Sequence, residues 1–439
     1  MEKADILIHG CLILPMTDKT CLKNGVIAIR NGKITFIGEA SNAASIKAEK
    51  AVNAKGKVAM PGLINCHTHV PMALFRGIAE DKPLNIWLKE TIWPLESKLT
   101  PKDIYVGTLL GCLEMIKGGT TCFADMYFHE DMVAKVAAES GLRCVLAQGI
   151  FESGNKKRGK KLLDEGVKFV KSFDGYANGR IRTMLGPHAA YSCSSELLVK
   201  IIESASALGV GVHTHLAESK DMFEKLGEKS GLSEVEFLER IGFFEGHVLA
   251  AHCINLSRRD MHILSKHGVN VVHVPVANMK LGLGAAKVKD LVSFGVNVCL
   301  GTDGPASNNT LDMFETIKVT ALLQKLTYHD PTVLSAYEVL KMATVNGAKA
   351  LGIADTVGSL EVGKKADIIL IDFNKPHLKP LHDKFASIVY SVKGSDVDTV
   401  IVDGQILMEK RRIKTLNETS IIRQAEKSIS TMLSNSTDK

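Results

Sequence analysis

Met60-Pro-Gly-Leu-Ile-Asn-Cys-His-Thr-His69 is the stretch around which the rest of the chain is organised. An apolar run leads into a Pro-Gly break and then a short strand ending in two histidines one residue apart. Side chains alternate faces along a strand, so residues two apart project the same way. His67 and His69 can therefore aim both imidazoles at one point, as a metal ion requires. A catalytic zinc takes histidine nitrogens at about 2.0–2.1 Å and keeps one position open for water. A lone His-x-His also occurs as an ordinary polar strand end, so the other ligands must come from elsewhere in the chain.

Outward from this stretch, apolar strand-like runs alternate with helical stretches, the pattern of βα units around a parallel sheet. The runs are 57–65, 121–126, 143–150, 181–186, 210–215, 247–251, 269–274 and 296–301, with helices predicted at 103–117, 132–140, 195–208 and 234–241. Eight such units fit an α/β fold with a closed (β/α)8 barrel over about residues 59–358. An open doubly wound sheet is the alternative, but no G-x-G-x-x-G follows the first strand. Residues 1–58 read as short strands with tight turns, Asn31-Gly32 marking a hairpin. Residues 359–439 read alike, with strands at 366–372, 387–392 and 399–407 and a C-terminal helix. Neither end is large enough to hold a core alone, so one small β-sandwich built from both ends is expected.

The 439 residues carry 45% hydrophobic and 23% charged side chains, ordinary values for a globular protein. A net charge of +6 is small for this length and argues against a nucleic-acid surface. The Lys-rich patches at 156–161 and 410–414 read as solvated faces or loops. Nine cysteines, an odd number without a C-x-x-C pair, fit reduced, buried thiols better than a disulfide framework. No signal peptide and no membrane-length apolar run is evident, so a cytoplasmic protein without membrane contact is expected.

In a barrel the working residues sit at the C-terminal ends of strands. The first strand ends in His67-Thr-His69, the fourth in Gly186-Pro-His188-Ala-Ala-Tyr191, and the fifth in His213-Thr-His215-Leu-Ala-Glu218. The sixth ends in Ala251-His252-Cys253, the seventh in His273-Val-Pro-Val-Ala-Asn278, and the eighth in Gly301-Thr-Asp303-Gly304. Any one histidine is more often a hydrogen-bonded structural residue than a ligand. Five strand ends converging with His, and a sixth with Asp, point to a metal site. Such ligands around zinc lower the pKa of a bound water towards about 7, and a nearby carboxylate is then needed to move protons. Glu218, three residues past His215, can reach the pocket without being tied to the metal. Asp303 can both ligate and hold the attacking water.

Over nearly its full length the chain resembles the amidohydrolase superfamily, and within it the 5-methylthioadenosine/S-adenosylhomocysteine deaminase group. The resemblance rests on the 60–72 stretch, Arg76-Gly-Ile-Ala-Glu-Asp, Trp93-Pro-Leu-Glu96, Asp125-Met-Tyr-Phe-His129 and the strand ends above. It extends to Asn278-Met-Lys-Leu-Gly, Gly301-Thr-Asp-Gly-Pro-Ala-Ser-Asn-Asn309 and Gly358-Ser-Leu-Glu-Val-Gly-Lys-Lys-Ala-Asp367. It implies one divalent metal, Zn²⁺ foremost although iron or manganese also suits the donors, held by His67, His69, His215 and Asp303. His188 stands where binuclear relatives carry a bridging lysine, which agrees with one metal. It further implies that Glu218 protonates the purine ring nitrogen, that His252 steadies the attacking water, and that Glu96 and His188 bind the ribose hydroxyls. Trp87 and Ser307 are further candidate substrate contacts, although packing serves Trp87 equally well. His213, deeper in its strand, would support a ligand. His273 is undecided.

One departure concerns the third strand end, where relatives that accept S-adenosylhomocysteine place an arginine. Gln148 stands there, and a neutral amide cannot replace a bidentate guanidinium–carboxylate pair. Arg158 or Lys160 nearby could compensate. The expected reaction is hydrolytic deamination of an adenosine with a short 5′ group, a small nucleoside as partner, in a homo-oligomer. The alternatives are an aminohydrolase or chlorohydrolase acting on guanine, a pterin or a triazine, and a non-catalytic barrel kept as a binding module.

Overall fold

A computed structural model describes residues 3–78, 80–219 and 231–434. Eight parallel strands stand in sequence order around a barrel: Leu63–Thr68, Thr120–Tyr127, Arg143–Ile150, Ile181–Pro187, Val212–Leu216, Val248–His252, Asn270–His273 and Asn297–Leu300. They read as continuous apolar runs because both faces are buried. Alternate residues such as Cys122, Ala124, Met126, Val145, Ala147, Val272 and Cys299 gather in one interior cluster. Their neighbours Phe123, Leu146, Val271 and Leu300 pack into the larger cluster shared with the helices.

The helices begin where their sequences allow. Thr100 precedes Pro101–Gly118 and forms a reciprocal capping box with Asp103 in its first turn, and Ser194 caps Ser195–Leu208. The last strand meets the first at the mouth, where Asp303 N donates to His67 O at 3.0 Å. That bond, with the Asn65 side chain bonded to Thr302 beside it, sets two candidate ligands side by side.

A nine-stranded mixed sheet combines five strands from the N-terminal part with four from the C-terminal part. The two ends join where Lys57–Pro61 pairs antiparallel with Ile368–Asp372. The apolar run 57–65 thus divides at Gly62, its first half in this sheet and its second opening the barrel. Ile8, Ile13, Ile27, Ile29, Ile368, Leu370 and Ile401 form the core of the mixed sheet. Arg143, at the start of the third barrel strand, holds Asp367 through two hydrogen bonds of 2.9 and 3.1 Å. Both side chains are buried, so removing either partner would leave an uncompensated charge.

One local reading is corrected. The run 387–392, expected as a strand, lies largely in the helix Lys384–Tyr390. Asp383 accepts from the backbone N–H groups of Phe385 and Ala386, and this cap overrides the β-branched composition. The 156–161 segment is a solvated face as expected, the exposed start of the helix Lys156–Phe173, capped by Asn155. Lys410 and Arg411 form a turn between the strands Gln405–Glu409 and Arg412–Ile413. All nine cysteines are free, eight of them buried. Among the described residues no helix is long and apolar enough to cross a membrane.

Candidate active site

Four ligand-type atoms converge at the barrel mouth. Asp303 Oδ1 lies 3.4 Å from His67 Nε2 and 3.3 Å from His69 Nε2, and His215 Nε2 lies 3.4 Å from His69 Nε2. Donors on a tetrahedron of radius about 2.0–2.1 Å stand about 3.3–3.4 Å apart, so these spacings fit a zinc-sized ion.

The outer ring nitrogens explain why the inner ones are free. His69 Nδ1 donates to Met126 O at 2.6 Å, and His215 Nδ1 donates to His188 O at 2.8 Å. His67 Nδ1 is 2.8 Å from His213 Nε2, which gives His213 the supporting place expected of it. With Nδ1 protonated and engaged, each Nε2 presents a lone pair inward, the arrangement metal-ligating histidines adopt. His67 Nε2 is buried with no hydrogen-bond partner of its own.

Local backbone geometry allows this crowding. The first barrel strand ends at Thr68, and its pairing register shifts between Asn65 and Thr68. His69 therefore lies just past the strand, yet its ring still turns to the same point. A Cβ at Gly301 would come within 2.9 Å of His67, and one at Gly304 within 3.0 Å of His69. Only glycine lets the Gly301-Thr-Asp-Gly304 turn press this closely on the ligand pair. Asp303 and His252 both sit in the left-handed region, with φ of 65° and 72°. Strain of that kind persists where surrounding contacts enforce it, commonly at functional sites.

Electrostatics match the geometry. Burial lowers His67 to about 4, only partly offset by Asp303, and pushes His215 well below its ordinary value. Burial alone would raise Asp303, but the adjacent His67 and the other imidazoles around it hold it well below the usual carboxylate range. His67 and His215 thus stand as neutral imidazoles beside an ionised carboxylate, the donor state a divalent ion requires. Glu218 moves the other way: burial raises it, more than the nearby His252 lowers it. Its Oε1 lies 3.7 Å from His252 Nε2. His252 is held in turn by Nδ1–H donating to Asn278 Oδ1 at 2.9 Å.

Residues 58–407 match the amidohydrolase family. The chain belongs to that family. It is 50% identical over 423 residues to the 5′-deoxyadenosine deaminase of Methanosarcina acetivorans, covering 96% of this chain and 97% of that one. It is 46% identical to the 5-methylthioadenosine/S-adenosylhomocysteine deaminase of Pelotomaculum thermopropionicum, covering 97% and 98%. Among solved structures, an adenosine deaminase from Xanthomonas campestris with bound zinc superposes with a TM-score of 0.95 at 30% identity, covering 99% of each chain.

The remaining candidates of this amidohydrolase fall into two groups. Glu96 lies beside the Tyr127 phenol and His69, and burial raises its carboxyl to about 7 against the pull of both. His188 packs against His215 with ring centroids 4.9 Å apart, and its Nδ1 meets Ser192 Oγ at 2.9 Å. Both border the ligand cluster.

Three others do other work. Ser307 Oγ donates to Asp303 Oδ2 at 2.6 Å, so it orients the carboxylate rather than lining a substrate surface. Gln148 Oε1 accepts from Glu130 N at 3.2 Å. It lines, with Glu96, Phe128 and Phe169, a cavity of about 560 Å³ whose walls include none of the ligand candidates. Trp87 is buried in the main apolar cluster, a packing position.

His273 is fully buried with neither ring nitrogen bonded, and burial lowers it to about 3. Arg158 sits over the Phe151 ring at 4.8 Å and donates to Glu152 O. Asn278 escaped the sequence reading as a functional residue. It lies 26 positions from His252, and its place at the seventh strand end and in the Asn-Met-Lys-Leu-Gly segment gave no role for it.

Proposed function

We propose that this amidohydrolase removes the ring amino group of 5′-modified adenosines by hydrolysis. Water adds at the ring carbon, the C–N bond breaks, and the inosine analogue and ammonia leave. The convergence of three inward Nε2 lone pairs and the Asp303 carboxylate on one point carries this reading. The identity of about half to a 5′-deoxyadenosine deaminase supports the substrate class.

His67, His69, His215 and Asp303 are proposed to hold one divalent ion. Zinc is favoured by the spacing of the donors and by the zinc recorded in the similar adenosine deaminase. When bound, the ion supplies the Lewis acidity that activates water near neutral pH.

The protein's own groups do the rest. Asp303, steadied by Ser307, accepts the proton that the attacking water loses. Glu218, raised by burial, carries a proton to the purine ring nitrogen as the carbon becomes tetrahedral. His252, fixed by Asn278, faces Glu218 and steadies the charge developing between them. Glu96 and His188 offer an acceptor and a donor to the ribose hydroxyls.

The ribose role is tested by Glu96→Ala. Hydrogen bonds to charged groups are worth roughly 1.5–3 kcal/mol. The variant should therefore lose about 10- to 100-fold in kcat/KM for 5′-deoxyadenosine while retaining its metal. Unchanged kinetics would remove Glu96 from the ribose site.

A further inference from the structure

The turn that carries Glu218 is held from two sides by side chains that the proposed reaction does not use. The fifth barrel strand ends at Leu216, and Ala217 then adopts the left-handed conformation, with φ of 49°. A non-glycine residue keeps that conformation only where its surroundings enforce it. Here the enforcing contacts are hydrogen bonds to the backbone. Ala217 N donates to Glu234 Oε2 at 2.9 Å. Ala217 O accepts from Ile254 N at 3.1 Å and from Asn255 N at 3.0 Å.

Glu234 is buried at the start of the helix Glu234–Arg240, whose first turn is fixed by a reciprocal capping box between Ser233 and Glu236. Asn255 comes from the opposite side, on the segment that follows His252. Its Nδ2 donates to Ala217 O at 3.4 Å and to Glu218 O at 3.3 Å. Cys253 N, beside it, donates to Leu216 O at 2.9 Å. The segment after His252 is thus bonded along the run Leu216-Ala217-Glu218. These bonds fall on the backbone, and so they place the Glu218 carboxyl without occupying it.

We infer that Glu234 and Asn255 are positioning residues for the proton donor, Glu234 fixing the Ala217 N–H and Asn255 the carbonyls of Ala217 and Glu218. The inference rests on Glu218 being the group that protonates the substrate. Together the two side chains hold the Glu218 carboxyl beside His252, where its Oε1 lies 3.7 Å from Nε2. A shift of about 1 Å in a reacting group can cost roughly 100-fold in rate. A strained turn braced on both its N–H and its carbonyl is a means of preventing such a shift. Glu234 and Asn255 act through Glu218 and take no part in binding the metal.

A double-mutant cycle with Glu218, on the full zinc-loaded chain, tests the brace. Asn255→Ala should lower kcat for 5′-deoxyadenosine about 3- to 10-fold, the scale of an ordinary hydrogen bond, with zinc content unchanged. In the Glu218→Gln background the same substitution should cost less than about twofold further, because no proton donor remains to be placed. Glu234→Ala leaves the Ala217 N–H buried without its partner and should lower kcat about tenfold or more. Glu234→Gln keeps an oxygen for that N–H and should stay within about threefold of the parent. Thermal melting of the same samples checks folding. A folded Asn255→Ala with parental kcat would overturn the inference. So would an equal loss from Asn255→Ala in both backgrounds, or Glu234→Gln as impaired as Glu234→Ala. The Asn255 cycle decides the matter if Glu234→Ala does not fold. Parental turnover in Glu218→Gln alone would instead overturn the proton-donor role on which the inference rests.

Discussion

Asp303→Asn is expected to reduce deaminase turnover on the order of 10³-fold or more and to weaken zinc binding in the same variant. The substitution is nearly isosteric, and asparagine tolerates the left-handed backbone that Asp303 occupies at φ 65°. The backbone bond from residue 303 to His67 O and the contact with Ser307 can both survive, so the fold is expected to persist. Only the negative charge at the donor point is lost. That charge lies 3.3–3.4 Å from two imidazole nitrogens and is held ionised by the same imidazoles. A neutral amide can neither balance a divalent cation nor take a proton from water. Inductively coupled plasma analysis of metal content, with stopped-flow or steady-state rates, checks both halves. A variant that kept full zinc and near-parental turnover would remove Asp303 from the reaction.

Glu218→Gln should behave differently. General acid–base groups typically contribute about 10²–10⁴-fold, or about 3–5 kcal/mol of barrier. The variant should lose activity within that range and keep its zinc, because Glu218 stands beside the ligands without being one. Its distinguishing signature is in pH. The parent carboxyl is raised by burial, so it is protonated below its shifted value and loses the proton as pH rises through it. The parent rate should follow that ionisation, whereas the glutamine variant, with nothing to titrate there, should lose this limb of the profile. Retention of the same limb in Glu218→Gln would assign it to another group.

The contrast between these variants reflects what a sequence can disclose. Strand alternation brought His67 and His69 together, and the strand ends with His215, His252 and Asp303 marked a single mouth. These signals are short and local. What supports them is not. The carbonyls of Met126 and His188 reach two of the ligands, and the Asn278 amide reaches His252, across sequence separations of 26 to 57 residues. Such pairings depend on which way a side chain leaves its strand. Gln148 shows the same difficulty: its place near the end of the third strand suggested a substrate contact, but its side chain turns to the helix start at Glu130. The 387–392 run was misread for another reason. A helix of seven residues has too few turns to reveal a period, and its Asp383 cap lies outside the apolar run. The eight-strand pattern, by contrast, was plain because buried parallel strands have both faces apolar.

The most direct test of the proposed activity is a comparison of kcat/KM on the zinc-loaded protein, following the adenine-to-hypoxanthine absorbance change and released ammonia. The substrates are adenosine, 5′-deoxyadenosine, 5′-methylthioadenosine and S-adenosylhomocysteine. Stoichiometric ammonia is expected, with the short 5′ groups preferred over S-adenosylhomocysteine by about tenfold or more, the scale of one missing charge-assisted contact. Absence of ammonia from all four nucleosides would contradict the account.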